Sequence, residues 1–230
     1  MKRLKGVLIA VALGHALALP LGAQVTGALN QPEATSGIAT NVTLDLRPHA
    51  EDIWVDGSVG KGFRPGFHEA GFSLGGGFGT HELGGVSPHD MVLARVYCGW
   101  VLGKVRGGDS WYRGNWELVQ ELFGGAQTYP GTRYVIGETT VFRYNFATGT
   151  RWVPFVDVGA GITATDIGQP DLALDFEFNL QAGPGVNYFW RRNCALTLQY
   201  RFIHLSCASI KTPNQGVNEN VLYAGISWFF

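Results

Sequence analysis

From about residue 67 onward, polar and apolar residues alternate with a period of two. Across residues 174–181, Leu174, Phe176, Phe178 and Leu180 take one phase, and Asp175, Glu177, Asn179 and Gln181 take the other. Phe142, Tyr144 and Phe146 alternate with Arg143 and Asn145; further on, Leu196, Leu198 and Tyr200 alternate with Thr197, Gln199 and Arg201. Successive side chains of a strand point to opposite faces, so this period specifies β-strands. Eight such segments are predicted, at 67–80, 88–104, 113–126, 133–147, 151–163, 172–190, 193–206 and 218–230. Turn signals such as Gly107-Gly108-Asp109, Pro130-Gly131 and Arg191-Arg192-Asn193 separate them.

Two architectures present one apolar and one polar face. A soluble sandwich buries the apolar face, whereas a membrane barrel turns it to lipid and packs the polar face inside. The segments are long enough to cross a bilayer at a tilt, and their number is even. Aromatic residues gather near segment ends (Trp111, Tyr112, Trp116, Tyr188, Trp190), as they do at membrane boundaries. The last strand carries Trp228 and Phe230 in one phase, which resembles the terminal signature of outer-membrane barrels. Mean hydropathy is only +0.06 although 46% of residues are hydrophobic, so apolar residues are diluted along strands rather than gathered into helical spans. The expected fold is therefore all-β, an eight-stranded antiparallel transmembrane β-barrel of the outer-membrane type. Its polar face carries both signs, Arg95, Arg143 and Arg201 against Glu117, Glu121, Asp157, Asp175 and Glu177. A barrel this narrow has room only for side chains, so these charges should pair inside.

Residues 1–23 read as a signal peptide, with Lys2, Arg3 and Lys5 before an apolar stretch and Leu21-Gly22-Ala23 as a cleavage site. Residues 24–66 read as an N-terminal lead-in, poorly ordered or periplasmic, and 67–230 as the barrel. A net charge of -1 gives no electrostatic case for nucleic acid. Cys98, Cys194 and Cys207 have no metal-ligand spacing, and no cofactor or metal is expected. His49, His68, His81 and His89 form no ligand set. Gly75-Gly76-Gly77 lacks the Lys-Ser/Thr of a phosphate loop and reads as easing barrel curvature.

One strand face holds chemistry. His204 and Ser206 share the phase of Leu196, Leu198, Tyr200 and Phe202, roughly 6–7 Å apart along a strand. A base beside a nucleophile on an apolar face makes sense where that face meets lipid. The stretch running from Arg201 through His204, Ser206, Cys207, Ala208, Ser209, Pro213, Asn214 and Gly216 to Asn218 resembles the lipid A 3-O-deacylase family of outer-membrane enzymes. Pro154 to Gly161 and Phe176 to Gly185 are similar to that family's strands. By position, the resemblance implies that His204 is the general base, Ser206 the nucleophile and Asn218 the group that orients the imidazole. It further implies oxyanion or loop roles for Cys207, Ser209 and Asn214. Two positions depart from the family: Asn218 stands where a carboxylate is usual, and Cys207 where an Asn donates. Strand parity puts Asn218 in the outward phase with Asn220, Leu222, Ala224 and Ile226, and Glu219 in the inward one. Asn218→Glu is expected to keep or raise activity, and Glu219→Ala to be nearly silent.

The resemblance implies a hydrolase of the bacterial outer membrane that removes an ester-linked acyl chain from the lipid A of lipopolysaccharide. The alternatives are a catalytically impaired, non-enzymatic barrel and a phospholipase on the same scaffold. Which acyl position is cut, and whether the barrel forms a homodimer, stay open at this point.

Overall fold

A computed structural model of the chain describes residues 65–85 and 87–230. The expected signal peptide, and the lead-in up to residue 64, lie outside the described residues. Eight strands run in order: β1 (His68–Thr80), β2 (Asp90–Val101), β3 (Gly114–Tyr129), β4 (Arg133–Phe146), β5 (Trp152–Thr165), β6 (Phe176–Arg191), β7 (Cys194–Ser206) and β8 (Val217–Phe229). Each pairs antiparallel with the next, and β1 pairs with β8, which closes the barrel and leaves no unpaired edge. No helix among the described residues is long and apolar enough to cross a membrane.

The outward phase is greasy. Phe72, Val96, Leu122, Ile136, Phe142, Val158, Leu180, Leu198 and Leu222 are each between 44 and 59% exposed. A continuous apolar surface of this kind would drive association in water and suits lipid. Ring pairs close its lower rim, where Trp116 meets Tyr144 at 5.0 Å and Trp152 meets Tyr188 at 4.5 Å.

The inward phase is polar at mid-height and apolar at both ends. Arg95, Glu121, Arg201, Asp157, Arg143 and Glu69 form one chain of alternating charge linking β2, β3, β7, β5, β4 and β1, with contacts of 2.7–3.0 Å. Strand parity predicts this pairing for Arg95, Arg143, Arg201, Glu121 and Asp157; Glu117 instead accepts from the Asn145 amide at 2.8 Å and Glu177 from the Leu174 N–H at 2.9 Å. All six side chains are fully buried, so each charge depends on its neighbours, and removing one would leave the charges beside it undercompensated. Near the upper end Met91, Leu93, Phe123, Leu172, Ile203, Leu205 and Val217 form an apolar plug. Val101, Val153, Phe189, Ala195 and Phe229 do the same at the lower end.

Two sequence expectations need correction. Asp175 is exposed and precedes β6, because the backbone there is still turning and the inward phase begins only with Glu177. The second strand ends at Val101, and residues 102–104 belong to a loop. The inward-facing glycines of β1 make room for rings: a Cβ on Gly75 would sit 2.5 Å from the Tyr223 ring, and one on Gly71 would sit 2.2 Å from Tyr97. β1 thus presents almost no side-chain bulk inward, and rings from β2 and β8 fill the space.

Candidate active site on the outer face of β7 and β8

The last turns of β7 keep the alternation. Arg201, Ile203 and Leu205 are buried inside, while Phe202, His204 and Ser206 face out and are half-buried. His204 lies opposite Asn218 of β8 and opposite Leu180 of β6; Ser206 lies opposite Phe178. The Nδ1 of His204 and the Oδ1 of Asn218 are 2.6 Å apart. Glu219 points the other way, is fully buried inside the barrel, and has both carboxylate oxygens without a hydrogen-bond partner.

Asn218 has the outward phase yet is only 1% exposed. The connection between β1 and β2 covers it. A 3-10 turn at Glu82–Gly84 lies there, and the amide Nδ2 of Asn218 donates to the Glu82 carbonyl in a short hydrogen bond. A carbonyl can only accept, so this contact fixes which end of the amide faces the imidazole. With Oδ1 turned to His204, Nδ1 carries the ring proton and Nε2 keeps its lone pair. Gly85 allows the close approach, since a Cβ there would lie 2.5 Å from Asn218 Nδ2. The Glu82 carboxyl itself is exposed and is held below the usual carboxylate range, chiefly by a hydrogen bond from the Thr80 side chain.

The connection between β7 and β8 shapes the other side. Ala208 and Ser209 have φ values of +52° and +63°, and Ile210 N–H donates to the Cys207 carbonyl at 3.1 Å. Successive positive φ values at the two central positions are those of a type I′ turn. Cys207 is buried; its N–H donates to Asn214 Oδ1 and its thiol to the Lys211 carbonyl, both at 3.3 Å. The thiol therefore braces its own loop. Gly216 has φ +82°, and a Cβ there would lie 3.0 Å from His204 Cε1. Its N–H and that of Gln215 both donate to the Asp171 carbonyl, so the loop before β6 holds the loop before β8. Asp171 in turn lies 3.4 Å from buried His89, whose other ring nitrogen meets Gln127 at 2.6 Å.

The structure thus brings together His204, Asn218, Gly216 and the Glu82 carbonyl, with Ser206 beside them on one face. Among the described residues, no hydrogen bond joins Ser206 to His204. Catalytic hydrogen bonds often tighten only when substrate binds. Sequence reasoning missed Glu82, Gly85, Asp171 and the bracing role of His89. No side-chain pattern announces a backbone carbonyl, while the buried His–Asp–Gln contact exists only once distant loops meet.

A closed eight-stranded barrel with an apolar outer belt defines a bacterial outer-membrane protein. A sequence model described as lipid A 3-O-deacylase (PagL) matches residues 95–227, more than half of the chain, and the chain belongs to that family. The lipid A deacylase PagL of Pseudomonas aeruginosa is 27% identical over 113 residues, which are 48% of this chain and 62% of that relative. The alignment therefore spans less than two thirds of the relative's length. Among solved structures, Neisserial surface protein A is similar with a TM-score of 0.51 at 16% identity, covering 71% of this chain and 97% of that one. The outer membrane enzyme PagL matches with a TM-score of 0.47 at 21% identity, covering 66% of this chain and 97% of that one.

Proposed function

We propose that this protein is a deacylase that hydrolyses an ester-linked acyl chain of lipid A, with Ser206 as nucleophile, His204 as base and Asn218 as the group that orients the imidazole. The observation that carries this reading is the His204–Asn218 contact on the lipid-facing side of β7, next to Ser206, in a chain of this family. A serine hydroxyl is a weak nucleophile until a neighbouring base takes its proton. Ser206 Oγ attacks the ester carbonyl as its proton passes to His204 Nε2. The resulting imidazolium donates its Nδ1–H to Asn218 Oδ1. The tetrahedral intermediate collapses, the sugar hydroxyl leaves with the proton from Nε2, and the acyl chain stays on Ser206. Water, activated by the same Nε2, then releases the fatty acid. The backbone N–H of Ser209 serves as oxyanion donor, while the Cys207 thiol is engaged with Lys211. The lipid-facing position lets substrate arrive by lateral diffusion.

That engaged thiol favours one second reading, a catalytically impaired barrel, because losing one oxyanion donor costs about 10²–10³ in turnover. To separate the readings, the protein is expressed in an outer membrane and extracted lipids are weighed by mass spectrometry. Loss of one acyl chain from lipid A, absent with Ser206→Ala, supports the deacylase. Unchanged lipid A around a folded barrel supports the impaired one, and loss of glycerophospholipid instead points to a phospholipase.

A further inference from the structure

Long loops of outer-membrane barrels face outward and short turns face the periplasm. The connections at 81–89, 130–132, 166–175 and 207–216 lie at the end that carries Ser206, and three of these four are long, so the turns at 102–113, 147–151 and 192–193 lie on the periplasmic side. Two of these are short, but 102–113 is longer than any loop at the other end. It folds back on itself, with Arg106 and Gly114 exchanging backbone hydrogen bonds at 2.8 and 3.0 Å. It also leans over the lipid side of the barrel, where the outward-facing Tyr144 of β4 donates its hydroxyl to the Tyr112 carbonyl at 2.5 Å.

Between this loop and the strands lies a cleft of about 720 Å³. Its strand wall is apolar and faces the bilayer, with Trp116, Phe142 and Val158 exposed there. Its loop wall carries Lys104 and Arg106, both exposed and neither in an ion pair among the described residues. Among the described residues, the same turns also hold Arg113, Arg151 and Arg192, and the acid Asp109. The opposite loops hold Glu82, Asp166, Asp171 and Asp175 against Lys211. An apolar wall meeting a pair of cations at the membrane boundary matches a lipid with a negative headgroup, and each cation near such a surface strengthens binding about fivefold.

We propose that this cleft holds one anionic glycerophospholipid of the periplasmic leaflet. Its acyl chains lie along Trp116, Phe142 and Val158, and its phosphate lies between Lys104 and Arg106. The site is on the far side of the bilayer from Ser206 and does not depend on what Ser206 does.

The full chain, folded in detergent, is equilibrated with phosphatidylglycerol or phosphatidylcholine and read by native mass spectrometry. The unaltered protein should retain one phosphatidylglycerol at least tenfold better than phosphatidylcholine. Lys104→Ala with Arg106→Ala should weaken that retention about 30-fold, fivefold per charge. Glycerophosphate, a headgroup without chains, should not compete at equal concentration. Equal retention of the two lipids, undiminished retention by the double variant, or competition by glycerophosphate would each overturn the proposal. The comparison of the two lipids uses the unaltered protein, so it holds even if the variant fails to fold.

Discussion

Gly216→Ala perturbs the site at one carbon atom. The native φ of +82° lies in the left-handed region, where a Cβ costs about 1–2 kcal/mol. The added Cβ would also lie 3.0 Å from His204 Cε1, a few tenths of an ångström inside ordinary contact. The imidazole is held from behind by Asn218 at 2.6 Å, so it must either tilt or loosen that hydrogen bond. A misplacement of about 1 Å at a reacting group costs about 10²-fold, so a shift of a third to a half of that should cost about tenfold. The strain and the displacement are read separately. Thermal unfolding in detergent should show about 1–2 kcal/mol of lost stability, and fatty acid release from lipid A should show kcat down about tenfold with KM little changed. Gly131→Ala is the matched control, since nothing lies within 4 Å of its Cβ position and no positive φ restrains it. If Gly216→Ala released fatty acid as fast as the unaltered protein, the argument that this glycine seats the imidazole would be wrong.

Other substitutions test other links. Asn218→Leu removes both the His204 and the Glu82 contacts and should cut turnover at least 10³-fold, of the order seen when a triad loses its orienting group. Glu219→Gln lies inside the barrel and should leave turnover within about twofold; a large loss would mean that β8 presents the other phase to the imidazole. Cys207→Ser keeps a donor for the Lys211 carbonyl and should also stay within about twofold, whereas a thiol acting on substrate would not be replaced so easily. Arg201→Ala takes one of two arginine partners from each of Glu121 and Asp157, which keep Arg95 and Arg143, and should lower barrel stability by about 3 kcal/mol, read as loss of the heat-resistant folded band on a gel.

What was legible in the sequence was local. Side-chain parity is set residue by residue, so the inward set of Arg201, Gln199 and Thr197 and the outward set of Leu198, Phe202 and His204 could be read directly. The same parity separated Asn218 from Glu219. Contacts made by ring closure were not legible. The Glu82 carbonyl lies 136 residues from Asn218 in sequence and reaches it only because β1 pairs with β8. This cover alters one expectation. A longer carboxylate at position 218 would meet the Glu82 carbonyl and crowd Gly85, so Asn218→Glu should lower activity in this chain rather than keep or raise it. The same lack of local signal explains Gly71 and Gly75, whose purpose is set by Tyr97 and Tyr223 on neighbouring strands.

The central claim is that Ser206 is a nucleophile activated by His204. Its most direct test is labelling of the folded protein by a lipid-like phosphonate ester, followed by peptide mass spectrometry. The account predicts one phosphonate on Ser206, with labelling lost in His204→Ala and strongly slowed in Asn218→Leu. Labelling at another residue, or labelling of Ser206 that is indifferent to His204, would contradict it.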